Sequence, residues 1–232
     1  MVLFGENVKV IDFSQKWSQV QIHNNQCKGW VHMDHFVPLT EANDSPIRCI
    51  DFTEYVYQEE RRIPIFIGCQ LPNYDGIRLH YGDYQWNFSG QSIHAKDLGM
   101  ERFKRLGQKY IGAPYRKGGR SPFGIDDSGL VHILYSFLGK SLPRTAVKQS
   151  TIGHPLHFIQ EAQLGDLLGF SSVKGGPVDH IGLYWGNQQV LHVDSVAQID
   201  QVDHNGIYHA SSGQYTYFLT NIQRIIDVWP NP

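Results

Sequence analysis

The chain has 232 residues, 12% of them aromatic and five of them Trp, which is enough to bury a real core and too apolar for a disordered segment. With 20 basic and 22 acidic residues the formal charge is -2, and no run of like charge supports nucleic-acid or membrane-surface binding. No window approaches the roughly 18–20 apolar residues of a spanning helix, so membrane insertion is not expected.

The start, Met1-Val2-Leu3-Phe4-Gly5-Glu6, lacks the basic n-region and apolar core of a signal peptide. As given, the chain reads as cytoplasmic, or as periplasmic or cell-surface if a leader was removed. Residues 1–38 carry short period-2 segments at 7–11, 18–22 and 29–31, separated by Ser-Gln-Lys-Trp and Asn-Asn-Gln turns, the spacing of a small β-barrel. Residues 39–95 are strand-rich as well, with candidates at 63–67, 76–81 and 84–88 around a Gly-Asp turn, and form a second β unit or a linker extension.

From residue 96 to 232 the pattern changes. Asp97–Tyr110 places Leu98, Met100, Phe103, Leu106 and Tyr110 near helical spacing. A Gly-rich loop covers 112–124, and Ser128–Leu138 is apolar almost all round, as a centrally buried helix would be, with Gly139 as its stop. Pro143-Arg144 opens another predicted helix. Strand candidates follow at 166–170, 180–185, 188–193, 197–202 and 222–228, which makes the class α+β. Cys27, Cys49 and Cys69 form an odd, widely spaced set without metal-ligand spacing and read as buried free thiols, with a single disulfide as the alternative. No cofactor is expected.

Two features carry chemistry. Residues 122–130 read Pro-Phe-Gly-Ile-Asp-Asp-Ser-Gly-Leu, a sharp turn into a buried helix that sets one side chain at a helix N-terminus. Exposed N–H groups and the macrodipole there favour an anion and would lower the pKa of a thiol. Asp126, Asp127 and Ser128 also suit plain helix capping, and on the turn alone capping is the preferred reading. The second feature is His180 in His180-Ile-Gly-Leu-Tyr-Trp185 with His192 in Val190-Leu-His-Val-Asp194, about one hairpin apart. Neighbouring antiparallel strands would bring the imidazoles together as a base and its orienting partner. Either His alone reads as a satisfied core histidine.

Together these blocks resemble a family. Tyr110-Ile-Gly-Ala-Pro-Tyr-Arg-Lys-Gly-Gly-Arg-Ser-Pro-Phe-Gly-Ile-Asp-Asp-Ser-Gly-Leu130, Leu142-Pro-Arg-Thr145, Gln149, Gly165-Asp-Leu167, His180-Ile-Gly-Leu183 and Leu191-His192 are similar, in order and spacing, to the NlpC-type cell-wall cysteine peptidases. The similarity spans roughly 96–228. It implies a papain-like α+β domain that hydrolyses the γ-D-glutamyl–diamino acid bond of peptidoglycan stem peptides. Residues 1–38, through Leu3-Phe-Gly-Glu6, Trp17 and Gly29-Trp-Val31, resemble part of the bacterial SH3-like domain that often precedes this module and narrows its cleft.

By that resemblance the nucleophile position is 127, His180 is its base and His192 orients the base. Asp126 and Ser128 would hold the free amine of an N-terminal L-Ala, and Tyr115 would belong to the cleft wall. Position 127, however, holds Asp where the family has Cys. A carboxylate is a poor nucleophile toward an amide, and its acyl product, an anhydride, reverses readily. Lys117, Gly169, Val193-Asp194-Ser195 and Cys27 also stand where the family usually shows other residues.

Several linked departures favour natural decay over a single engineered change. The expected function is therefore a catalytically dead member that binds peptidoglycan-derived peptides. The alternatives are an active γ-D-glutamyl-L-diamino acid endopeptidase with an engineered Cys-to-Asp change at 127, an Asp127/His180/His192 metal site for Zn or Fe(II), and a purely structural role.

Overall fold

The computed structural model describes residues 1–22, 27–39, 45–81, 83–209, 212–227 and 229. The chain divides into two compact units, Met1–Leu98 with Ser136–Ser141, and Gly99–Tyr135 with Leu142–Pro232. The two β segments expected at 1–38 and 39–95 both fall in the first unit.

In the first unit, β1 (Val8–Ser14), β2 (Trp17–Ile22) and β3 (Lys28–His32) form a three-stranded antiparallel meander. The β1–β2 turn lies at Gln15-Lys16, where Gln15 adopts φ 53°, so Trp17 belongs to the strand rather than the turn. The expected turn at 24–26 lies outside the described residues, as does Gly82 of the Gly-Asp turn. Val20 and Ile22 are buried while Trp17 is exposed, the alternation of a sheet with one dry face.

Next come β4 (Ile47–Cys49), β5 (Thr53–Gln58), β6 (Arg61–Phe66), β7 (Arg78–Tyr81), β8 (Tyr84–Asn87) and β9 (Ser92–His94). β4 pairs with β9, and the others form a sheet ordered β6-β5-β8-β7. The main chain of Gln70 donates to Phe4 O, tying the N-terminal segment to this β cluster. Cys49 and Cys69 are buried and Cys27 partly so, and none of the three is in a disulfide. Burial pushes the Cys49 thiol up to about 12 and that of Cys69 to about 11, so neither supplies a thiolate at neutral pH.

The second unit is sheet-rich with short helices. α1 (Met100–Gln108) is shorter than the expected 97–110, because Ala95–Asp97 form a separate 3-10 turn. β10 (Arg120–Ser121) and β11 (Gly124–Ile125) make a tight hairpin inside the Gly-rich loop. α2 (Asp127–Phe137) then buries Leu130, Val131, Ile133, Leu134, Tyr135 and Phe137, so it is apolar on every side.

The helix expected from Pro143-Arg144 is corrected to one turn, α3 (Ala146–Gln149). Arg144 is drawn instead to Asp126, Gln149 Nε2 donates to Pro143 O, and Thr145, in extended conformation, is the residue before the helix.

β12 (His154–Leu156), β13 (Leu167–Ser171), β14 (His180–Gly186), β15 (Gln189–Val193), β16 (Ala197–Val202), β17 (Gly206–His209) and β18 (Gln214–Arg224) make one antiparallel sheet. Its order is β12-β18-β13-β14-β15-β16-β17, and β17 also pairs with β18. That last pairing closes β13–β18 into a ring of six strands, which removes their free edges.

The strand expected at 222–228 is corrected. β18 begins at Gln214 and ends at Arg224, whose guanidinium pairs with Asp166 at 2.8 Å. Among the described residues the helices are few and the sheet dominates. Leu168, Phe170, Tyr184, Val190, Val202, Ile207 and Ile222 form its shared apolar core, continuous across neighbouring strands.

Candidate active site

The turn before α2 is built by Asp126. Its Oδ1 accepts from Gly129 N (2.7 Å) and its Oδ2 from Gly118 N (2.6 Å), so it caps the helix and fastens the Gly-rich loop. Arg144 pairs with the same carboxylate at 2.7 Å and also donates to Ser128 Oγ at 2.8 Å. Asp126 and Ser128 are buried in this network, 7% and 6% exposed. An incoming ammonium group at Asp126 would compete with a guanidinium already in place.

Asp127, the next residue, points the other way. Its Oδ1 accepts from Ser128 N (2.7 Å), and its Oδ2 accepts from Ile181 N (3.1 Å) on β14 and contacts His180 Nδ1 at 3.2 Å. The carboxylate therefore links the helix N-terminus to the strand that carries the first histidine.

The sheet register explains how the imidazoles meet. Phe170 pairs with His180 and Leu183 with Leu191, which sets Gly182 opposite His192 and His180 on the diagonal. A Cβ at Gly182 would lie 3.0 Å from His192 Cβ and 2.6 Å from Val190 Cγ2. On the same face His180 Nε2 lies 2.9 Å from His192 Nδ1. His192 Nε2 in turn faces Asp200 Oδ2 at 3.0 Å, and Gln198 Nε2 donates to the same oxygen at 2.7 Å.

This chain determines tautomers. Asp200 is an acceptor, so His192 carries its proton on Nε2. Burial, then the neighbouring His180, hold His192 below the usual imidazole range, against the opposing pull of Asp200. Neutral His192 then accepts at Nδ1, and His180 donates from Nε2. What remains is His180 Nδ1, which faces Asp127 Oδ2 and hydrogen-bonds it only when that nitrogen carries a proton. Asp200 is itself held below the usual carboxylate range by its bond to His192.

Tyr217 on β18 stacks on His180, with ring centroids 4.1 Å apart and planes 16° apart, and donates its hydroxyl to Asp194 at 2.8 Å. Tyr115 is half exposed, and its N–H donates to Ser195 O.

The structure thus brings Asp127, His180 and His192 together and leaves Asp126 and Ser128 in an internal frame beside them. The metal reading is corrected by the direction of the nitrogens. They run head to tail along a chain instead of converging, and no group of three or more His, Cys, Asp or Glu among the described residues is placed to hold a metal.

Residues 112–217 match the NlpC/P60 family. The γ-D-glutamyl-L-lysine dipeptidyl-peptidase of Bacillus subtilis is 27% identical over 209 residues, 82% of this chain and 70% of that protein. The protein of the same name from Bacillus cereus is 36% identical over 218 residues, 82% of this chain and 65% of that protein. The chain belongs to the NlpC/P60 family. A crystal structure of an NlpC/P60 family protein from Bacillus cereus has the same fold, with TM-score 0.77 at 22% identity over 96% of this chain and 80% of that one. Within this NlpC/P60 chain the sequence reading did not include Asp200, Gly182, Arg144 or Tyr217 in the site. Asp200 alone left a signal, as the one acid in the alternating Gln198-Ile199-Asp200 stretch that follows His192. Among the described residues no helix is long and apolar enough to cross a membrane.

Proposed function

We propose that this chain is a non-catalytic NlpC/P60 member that binds peptidoglycan stem peptides around position 127. The observation that carries the reading is the anchoring of the Asp127 carboxylate by Ser128 N and Ile181 N while it faces His180 Nδ1. In a cysteine-bearing site the same tautomer chain would leave His180 Nδ1 bare to take the thiol proton, with His192 and Asp200 orienting it. Here position 127 is already an anion with no proton to give. His180 has nothing to activate, and each carboxylate oxygen accepts one main-chain N–H while keeping acceptor capacity for a ligand cation.

The bond addressed is taken to be γ-D-Glu–L-Lys or its diamino-acid equivalent, as the names of the Bacillus relatives suggest. An N-terminal ammonium is drawn to Asp127, which keeps 16% of its side chain exposed, with Tyr115 as a wall. Asp126 and Ser128 act by holding the turn. The papain-like arrangement is this reading's frame: helix tip on one side, histidine strands on the other.

One contact supports natural drift over an engineered change. A Cβ at Gly169, where the family resemblance implies an aromatic, would press on Asn221 Oδ1 and lie 3.2 Å from Ser150 Cβ. Asn221 donates to Ser150 O and fills that space, a compensation that a single substitution at 127 would not bring.

The test is calorimetry with L-Ala-γ-D-Glu-L-Lys, followed by chromatography of the recovered peptide. Binding with intact peptide supports the proposal. No heat at millimolar peptide, or released products, contradicts it.

A further inference from the structure

The first unit contains a cleft of about 960 Å³ whose lining includes Trp17, Trp30, His32, Arg61, Arg62 and Tyr84. Its volume is at the upper end of ligand sites, which run roughly 300–1,000 Å³.

One wall is the wrong face of a sheet for aromatics. Trp17 pairs with His32 and Gln19 with Trp30, so the two tryptophans are diagonal neighbours on the face opposite buried Val20 and Ile22. Trp17 is 49% exposed, Trp30 48% and Tyr84 42%. Trp17 meets His32 edge-on, at 5.4 Å and 86°, so that contact leaves an indole face uncovered. Neither ring serves the core, and clustered exposed aromatics of this kind mark binding surfaces.

The charges separate in the same way. Glu6 is engaged by Leu3 N at 2.8 Å, and Asp34, whose carboxylate is largely in solvent, donates its main-chain N–H to His32 Nδ1. Arg61 and Arg62 are exposed at the start of β6, and among the described residues neither guanidinium has a hydrogen-bond or ion-pair partner. The cleft therefore offers open indole faces and two unpaired cations.

We propose that this cleft binds an acidic saccharide, with sugar rings stacked on Trp17 and Trp30 and a carboxylate held by Arg61 and Arg62. The C–H face of a pyranose is weakly positive and apolar and suits the negative face of an indole. A guanidinium reads a carboxylate through two parallel hydrogen bonds. An extended peptide would instead add to a sheet edge through main-chain bonds. The site lies in a different unit from Asp127, and its failure would not touch the reading of that residue.

The test is tryptophan fluorescence of the full chain titrated with N-acetylmuramic acid, with N-acetylglucosamine as the uncharged ring and lactate as the carboxylate alone. Saturable quenching by the acidic sugar is expected, with the neutral sugar about tenfold weaker and lactate silent. Trp30→Ala and the Arg61→Gln/Arg62→Gln double variant should each weaken binding about tenfold with unchanged melting temperature, and Trp30→Phe should retain most of it.

No saturation, equal affinity for the neutral sugar, or undiminished binding by both variants would overturn the proposal. A Trp30→Phe variant as weak as Trp30→Ala would remove the stacking argument. Displacement of the sugar by an equal concentration of L-Ala-γ-D-Glu-L-Lys would assign the cleft to peptides and overturn it too.

Discussion

The histidine site of the second unit and the aromatic cleft of the first are opposite solutions to placing polar groups. Around Asp127 the charged and imidazole groups are paired: Asp126 with Arg144, Asp127 with Ile181 N, His180 with His192, and His192 with Asp200. In the cleft the arginines lack partners among the described residues and the rings stand open. A closed network is stiff and costly to disturb, whereas an open surface waits for a ligand and tolerates substitution. The two regions should therefore respond very differently to mutation.

The largest effect on stability is expected at Arg144. Its removal leaves Asp126 buried without its counter-charge, held only by two main-chain N–H groups, and Arg144→Ala should cost about 3 kcal/mol in urea unfolding. Gly182→Ala comes next. Its new methyl would press on Val190 and His192, and overpacking of this kind costs about 1–3 kcal/mol. The same variant should shift the His192 ring resonances in NMR spectra, because the bond to His180 is displaced. Asp127→Ala should cost about 1–2 kcal/mol through two lost charge-assisted bonds to main-chain N–H groups.

Acid sharpens the contrast. His192 is held below its ordinary value of 6.5, so below that pH the unfolded chain takes up a proton that the native chain resists, and stability falls as pH drops. Asp200 is held below its ordinary 3.8, so its contribution is present above that value and is lost as pH falls through the folded value. Melting temperatures should be level above about pH 7 and decline below, and Asp200→Asn should remove the most acidic part of the decline. The smallest effect is expected in the cleft, where Trp30→Ala and Arg62→Gln should change stability by no more than about 0.5 kcal/mol. A large loss there would mean that the open surface is structural after all.

Much of the second unit was legible from local pattern. The almost wholly apolar stretch 128–138 corresponds to α2, and β13 to β15 fall on runs that are buried on both faces. The ends were less legible. The strand placed at 222–228 missed most of β18 because Tyr215, Tyr217 and Leu219 are only partly buried, so their alternation is faint. The helix read from Pro143 starts later, at Ala146, and Arg144 before it is engaged with Asp126, 18 residues back. Propensity cannot report such a contact.

The same limit governs the site. His180 and His192 announce themselves by residue type, but Asp200 and Gly182 matter only through strand register, which no local motif encodes.

The most direct test compares the native chain with Asp127→Cys on L-Ala-γ-D-Glu-L-Lys, with product followed by chromatography. The account predicts no release by the native chain. For the variant it predicts release at least about 10³-fold faster and abolished by a thiol-alkylating reagent. Hydrolysis by the native chain at a comparable rate, insensitive to that reagent, would contradict it.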